Sequence, residues 1–357
     1  MQYKENWEQA KEHLDAFWNG VAIKRAALQV YAPRNKPLPG PKQPPAPTNP
    51  VRLWTDPDYL LAAADHHFRM QYFGAEAVPS HWINLGPGIM ATYLGSQPTF
   101  DPNTAWYGPI AYEYDHPLLL DEGNEWWKLT KELTRRSCAF FAGKALTGIT
   151  DLGGCTDVLA SLRTTETLLF DMVSRPQQVQ QAVSELAHIW VHCYNELYKT
   201  IEENDEGSIQ WLGVWAPGRM YNVQSDLSCM ISSAMFERFV LPELEIMLSN
   251  LDFALYHLDG PGAIRHLDHL LQLSALKGIQ WTPGEGQPPV VEWIPMYRRI
   301  QKAGKLLHLH GEARYAERVL RALKPEGLMY VTWCETQAEA EELIRKAEIW
   351  AAGPRQD

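Results

Sequence analysis

Apolar and polar positions alternate along this chain in two distinct periods. Residues 5–19 place Trp7, Ala10, Leu14 and Phe17 on one face at helical spacing, which predicts an amphipathic helix. Residues 57–70 form a second helix, opened by Asp56 as N-cap and Pro57 in the first turn. Short apolar runs at 81–85, 146–151, 208–214, 253–258, 278–282, 305–310 and 328–333 read as strands. Between them fall helical stretches at 176–202, 234–250, 288–303, 313–323 and 336–350. The clearest is 176–202, with Val179, Val183, Leu186, Trp190, Tyr194, Leu197 and Ile201 in register, and Pro242 is expected to kink the next. Strands alternating with helices imply parallel strands joined by crossover connections, an α/β chain. Seven strands are legible and an eighth is not, so a (β/α)8 TIM barrel is favoured over an open sheet. The expected division is an N-terminal part, 1–75, of helices and proline-rich chain packed on a barrel formed by 76–357.

Residues 32–50 break the alternation. Eight prolines there forbid regular structure and favour an extended path, either a stiff connector or, through Arg34, Lys36 and Lys42, a basic flap. The composition narrows the function classes. A net charge of −11 argues against nucleic-acid binding, and no apolar run is long enough for a membrane helix. The N-terminal residues are charged and lack a signal-peptide core, and five scattered cysteines fit reduced thiols, so a cytoplasmic protein is expected. No glycine-rich nucleotide-binding signature is present. Fourteen tryptophans is a high count. Trp82, Trp106, Trp215, Trp281 and Trp333 fall near loops or strand ends, where they either pack or offer flat faces to a ring-shaped substrate.

In parallel barrels the reacting groups sit where strands run into the loops that follow them. Strand 208–214 leads to Arg219, Tyr221 and Asp226. The next ends in His257 and Asp259, two apart and hence on one side. The third leads to Glu285, the fourth ends in His308 and His310, and the fifth in Trp333, Cys334 and Glu335. Asp151 ends the strand at 146–151. Imidazole, carboxylate and thiolate in one mouth suit zinc. Without metal, the same groups could act as acid and base, Asp226 and Asp259 foremost, on a sugar-like substrate stacked on Trp82, Trp215 and Trp281.

These strand ends, with EAVPSHWINLGPGIMATYLG at 76–95, GGCTDVLASLRTTETLLFDMVSRPQQV at 153–179 and MFERFVLPELE at 235–245, make the chain resemble the uroporphyrinogen decarboxylase superfamily. The ordered series YHLDG, GIQWTPG, KLLHLHG and LMYVTWC completes the likeness over about residues 75 to 350. That superfamily also holds zinc-dependent corrinoid methyltransferases and is similar to cobalamin-independent methionine synthase. The resemblance implies a distorted TIM barrel, a small-molecule substrate and a homodimer. Two features depart from the decarboxylases: the arginine-rich N-terminal motif is replaced by the proline-rich segment, and the first strand ends Ile83-Asn84-Leu85-Gly86 without an Asp. Relative to the methyltransferase branch, His257 matches the ligand His, Asp259 stands for the first Cys and Cys334 falls at the second. The resemblance therefore implies zinc on His257, Asp259 and Cys334, and a corrinoid, if used, on a separate partner protein. A decarboxylase would need Arg219 or Arg163 as cation, and a non-catalytic corrinoid-partner protein is the remaining alternative.

Overall fold

The computed structural model describes residues 1–352, apart from the side chains of 203–205. The stretch expected to form the barrel, 76–357, is thus described as far as 352. Eleven strands are present among the described residues: β1 (Ala27–Pro33), β2 (Gln71–Ala75), β3 (Ser80–Trp82), β4 (Pro98–Phe100), β5 (Ala105–Tyr107), β6 (Leu146–Gly148), β7 (Met220–Gln224), β8 (Phe253–Asp259), β9 (Gly278–Thr282), β10 (Leu306–His310) and β11 (Leu328–Trp333). The central sheet has seven strands in the order β2-β1-β11-β10-β9-β8-β7, all parallel except β2. β3 and β6 pair in parallel beside it, and Ile209 bridges Gly148. The Met220 N–H donates to the Ser208 hydroxyl (2.8 Å), which ties the 208–209 segment to β7. At the far edge, the Glu76 N–H donates to the Leu28 carbonyl (2.8 Å).

The expected strands at 253–258, 278–282, 305–310 and 328–333 form as read. The expected strand at 208–214 does not. Ser208 and Ile209 make isolated bridges only, and the chain turns at Gly213 (φ +69°), where its N–H returns to the Gln210 carbonyl. The strand instead forms twelve residues later as Met-Tyr-Asn-Val-Gln, whose two amides disguise it as loop. Two strands, β1 and β2, lie within the N-terminal part expected to be helices and proline-rich chain. β1 enters the central sheet between β2 and β11. Asp56 caps the helix Pro57–Met70 as expected, accepting from the N–H groups of Asp58 and Tyr59. At Pro242, a π-helical turn (Phe236–Val240) precedes the α-helix Leu241–Ser249, so the residue that lacks an N–H falls in that helix's first turn.

Register and period-two alternation assign one face of the sheet to Met220, Asn222, Gln224; Leu255, His257, Asp259; Gly278, Gln280, Thr282; Leu306, His308, His310; Met329, Val331, Trp333; and Ala27, Gln29, Tyr31. At the strands' N-terminal ends this face is apolar. Ala27, Met220, Leu255, Leu306 and Met329 pack with Trp7, Leu14, Phe17 and Trp18 of the first helix, Trp7–Trp18. Towards the C-terminal ends the same face turns polar.

A buried ionic knot anchors the N-terminal segment. Glu76 accepts from Arg25 at both carboxylate oxygens (2.7 and 3.0 Å), from the Leu28 N–H (2.6 Å) and lies 3.0 Å from His13 Nδ1. Burial alone would raise its pKa, but Arg25, His13 and the Leu28 N–H together hold it at about 2. Its stabilising contribution is therefore complete above its ordinary value of 4.5 and is lost as pH falls towards 2. Glu76→Gln strands Arg25 without a counter-charge and is expected to cost about 3–5 kcal/mol in urea unfolding at pH 7. The deficit should shrink below pH 4, and a deficit independent of pH would contradict the assignment.

Candidate functional site

His257 and Asp259 leave the end of β8 on the sheet's polar face, as their spacing predicts. Asp226, in the turn that follows β7, meets them there. One ligand-capable atom of each of the three lies within 4.8 Å of the others. Among the described residues this is the single group of three or more His, Cys, Asp or Glu side chains so arranged. Sequence position separates Asp226 from Asp259 by a whole helical connection, and parallel pairing of β7 with β8 closes the gap.

Each member is held from behind. His257 Nδ1 bonds Gln280 Oε1, its register partner on β9, while Gln280 Nε2 donates to Thr282 Oγ1 (2.9 Å). In this arrangement the amide oxygen faces the imidazole and accepts from His257 Nδ1. The indole of Trp211 meets the His257 ring edge-on at 4.9 Å. The turn carrying Asp226 is pinned by half-buried Asp157, whose carboxylate accepts from the N–H groups of Asp226 (2.9 Å) and Leu227 (2.8 Å).

The corner is electrostatically strained. Burial raises the pKa of Asp151 to about 6, with Asp226 pushing it further up; the Gly153 N–H, Tyr221 and His257 oppose the rise. Burial and the Asp226 charge likewise raise Asp157. Asp226 is raised by its protein surroundings and by Asp259, against the opposing pull of His257. His310, two strands away, is pushed down to about 4 by burial and by His257. His308 lies well below the ordinary histidine range, fully buried, with neither ring nitrogen hydrogen-bonded.

The remaining residues expected at the site divide. Cys334 does not join His257 and Asp259: its N–H donates to the Tyr31 carbonyl (2.8 Å) at the end of β11, and it lines a separate recess with His310 and Trp333. The three side chains that the resemblance implies as ligands thus do not come together, and Asp226 rather than Cys334 meets His257 and Asp259. Arg219 precedes β7, at the opposite end of the strand from the site, beside Asp252 (3.6 Å), because the strand begins later than its sequence suggests. Tyr221 points to the sheet's other face, where its hydroxyl accepts from the Leu152 N–H (2.8 Å) and donates to Asp151 Oδ1 (3.3 Å), a positioning contact. Glu285 is exposed in the loop after β9. Asn84 is exposed and accepts from the Gly86 N–H, a turn contact. Trp82 ends β3, half-buried against Gly148. Trp215 is buried with Trp7 at the N-terminal end of the sheet, and Trp281 packs on Trp293 behind it. Arg163 is engaged by Asp171 and Glu113.

Three contributors escaped the sequence reading. Gln280 was readable as the lone amide in an apolar strand. Asp157 resembles an ordinary first-turn helix acid, and Trp211 was assigned to a strand that does not form. A scan against protein-family models finds no match for this chain, and neither does a search among curated proteins.

Because Asp226 raises Asp151, Asp226→Asn should lower the Asp151 midpoint from about 6, read by carboxyl carbon NMR. In the folded protein Asp151 opposes stability as pH rises from 3.8 through about 6. A midpoint unchanged in the variant would separate the two carboxylates.

Proposed function

We propose that this chain is a metal-dependent enzyme acting on a small organic molecule at the C-terminal end of a closed (β/α)8-type barrel like that of the uroporphyrinogen decarboxylase superfamily. Closure is supported by the bonds that continue the seven-stranded sheet from β7 through 208–209 to β6 and β3, and from β1 to Glu76. The observation that carries the function is the meeting of Asp226, His257 and Asp259, with His257 oriented by Gln280.

One imidazole nitrogen and two carboxylates fit zinc or a similar divalent cation, and a corner this rich in carboxylates gains from any cation placed there. Bound there, the metal would supply Lewis acidity towards a substrate oxygen or water. The protein's own part is to orient His257 through Gln280, to pin Asp226 through Asp157, and to hold beside Asp226 a second carboxyl, Asp151, whose pKa burial raises to about 6.

Within the superfamily, this donor set favours chemistry at an oxygen, such as demethylation of an ether, over activation of a thiol acceptor, because Cys334 lies outside it. A decarboxylase reading loses support, since Arg219 lies at the other end of the sheet and Arg163 is tied to Asp171. The carbohydrate reading loses Trp215 and Trp281 as stacking faces, both being buried elsewhere.

Calorimetric titration of zinc or manganese into chelator-treated protein without a His-tag tests this. The expected result is one site per chain, lost in Asp226→Asn, Asp259→Asn and His257→Ala and retained in Cys334→Ser. Gln280→Leu should weaken it roughly 10–100-fold. Absence of binding, or loss in Cys334→Ser alone, overturns the proposal.

A further inference from the structure

Two to three strand spacings from His257, roughly 10–15 Å, the ends of β10 and β11 enclose an open recess of about 720 Å³. Its floor is aromatic. Trp333 stacks on Tyr31 (ring centroids 5.4 Å apart, planes 20° apart) and lies 5.9 Å from the His310 ring, yet its side chain remains 58% exposed. Tyr31, Trp333 and His310 share the sheet face that carries His257 and Asp259, so the recess and the metal-binding group open in the same direction. His310 Nε2 is buried in its wall without a hydrogen-bond partner.

An indole of this size is ordinarily covered. Here its neighbour Tyr31 holds it flat on one side, fixing its orientation before anything binds. The rim is acidic: Glu312, Glu335 and Glu339 line the recess against one cation, Arg314, which is already paired with Glu312 at 2.9 Å. Among the described residues, Glu335 and Glu339 thus share the lining with Trp333 without a cation paired to either, Glu339 Oε2 accepting from the Glu335 N–H (3.1 Å). A ring face attracts cations through its quadrupole, and carboxylates around it add to that attraction while repelling anions. Plain apolar ligands gain from the ring but not from the rim.

We infer that this recess is a subsite for the cationic end of an organic substrate, an alkylammonium group seated on Trp333 between Glu335 and Glu339, with the reacting end reaching the Asp226–His257–Asp259 group. The inference rests on the functional reading above and names its substrate class. A molecule that spans the two places needs a chain of several bonds between its cation and its reacting oxygen.

The test uses choline and its neutral carbon isostere, 3,3-dimethylbutan-1-ol, titrated into chelator-treated full-length protein and followed by NMR. Choline is expected to bind several-fold more tightly than the isostere and to weaken as salt is raised. Trp333→Ala should weaken it roughly tenfold or more, Trp333→Phe less, and the double variant Glu335→Gln/Glu339→Gln severalfold. Circular dichroism confirms that the variants, all at exposed positions, remain folded. Equal binding of the isostere, tighter binding of acetate, no binding up to roughly 20 mM, or loss in Asp259→Asn but not in Trp333→Ala would each overturn the inference. Since metal is absent throughout, these results are independent of the metal titration, and either proposal can fail alone.

Discussion

Four carboxylates converge on one corner of this protein, and the arrangement depends on how their mutual repulsion is relieved. Asp151 is buried and Asp157 half-buried, Asp226 sits beside both, and Asp259 faces Asp226 across the β7–β8 pair. The fold answers partly with hydrogen bonds: two backbone N–H groups on Asp157, one on Asp151, and the Tyr221 hydroxyl. Burial and mutual repulsion still raise Asp151 and Asp157, while His257 pulls against the rise at Asp151 and Asp226. Holding these carboxylates together costs folding stability.

Parallel register makes the convergence possible. In β8 and β10, His-x-Asp and His-x-His project their pairs to one face, and the β9 residue between them, Gln280, is the one that orients His257. The polar face grows from an apolar base, in which the first helix supplies Trp7, Leu14, Phe17 and Trp18. Packing therefore fixes the strands at one end while polar chemistry occupies the other.

The strand ends from 253 onward were legible because their strands are apolar runs bounded by turns, and His257 with Asp259 followed directly. Asp226 was legible as a candidate but for a reason that needs amending: it follows a strand at 220–224, not one at 208–214. That strand buries Asn222 and Gln224 on the sheet face that carries His257, so hydropathy hides it. The same amendment moved Arg219 from the end of a strand to its beginning. Cys334 illustrates the limit of alignment by resemblance. The position matches, but β11 lies three strands from β8, and a thiol there cannot replace the turn after β7 as neighbour of His257. β1 was invisible because its inward alternation, Ala27, Gln29, Tyr31, is neither apolar nor polar throughout.

The helix Trp7–Trp18 bears on access. Its two indoles and phenyl ring stopper the N-terminal end of the sheet face that carries His257 and Asp259. Under the functional reading proposed above, access to the site would run past the connecting segments beyond the strand tips, where the recess over Trp333 lies open.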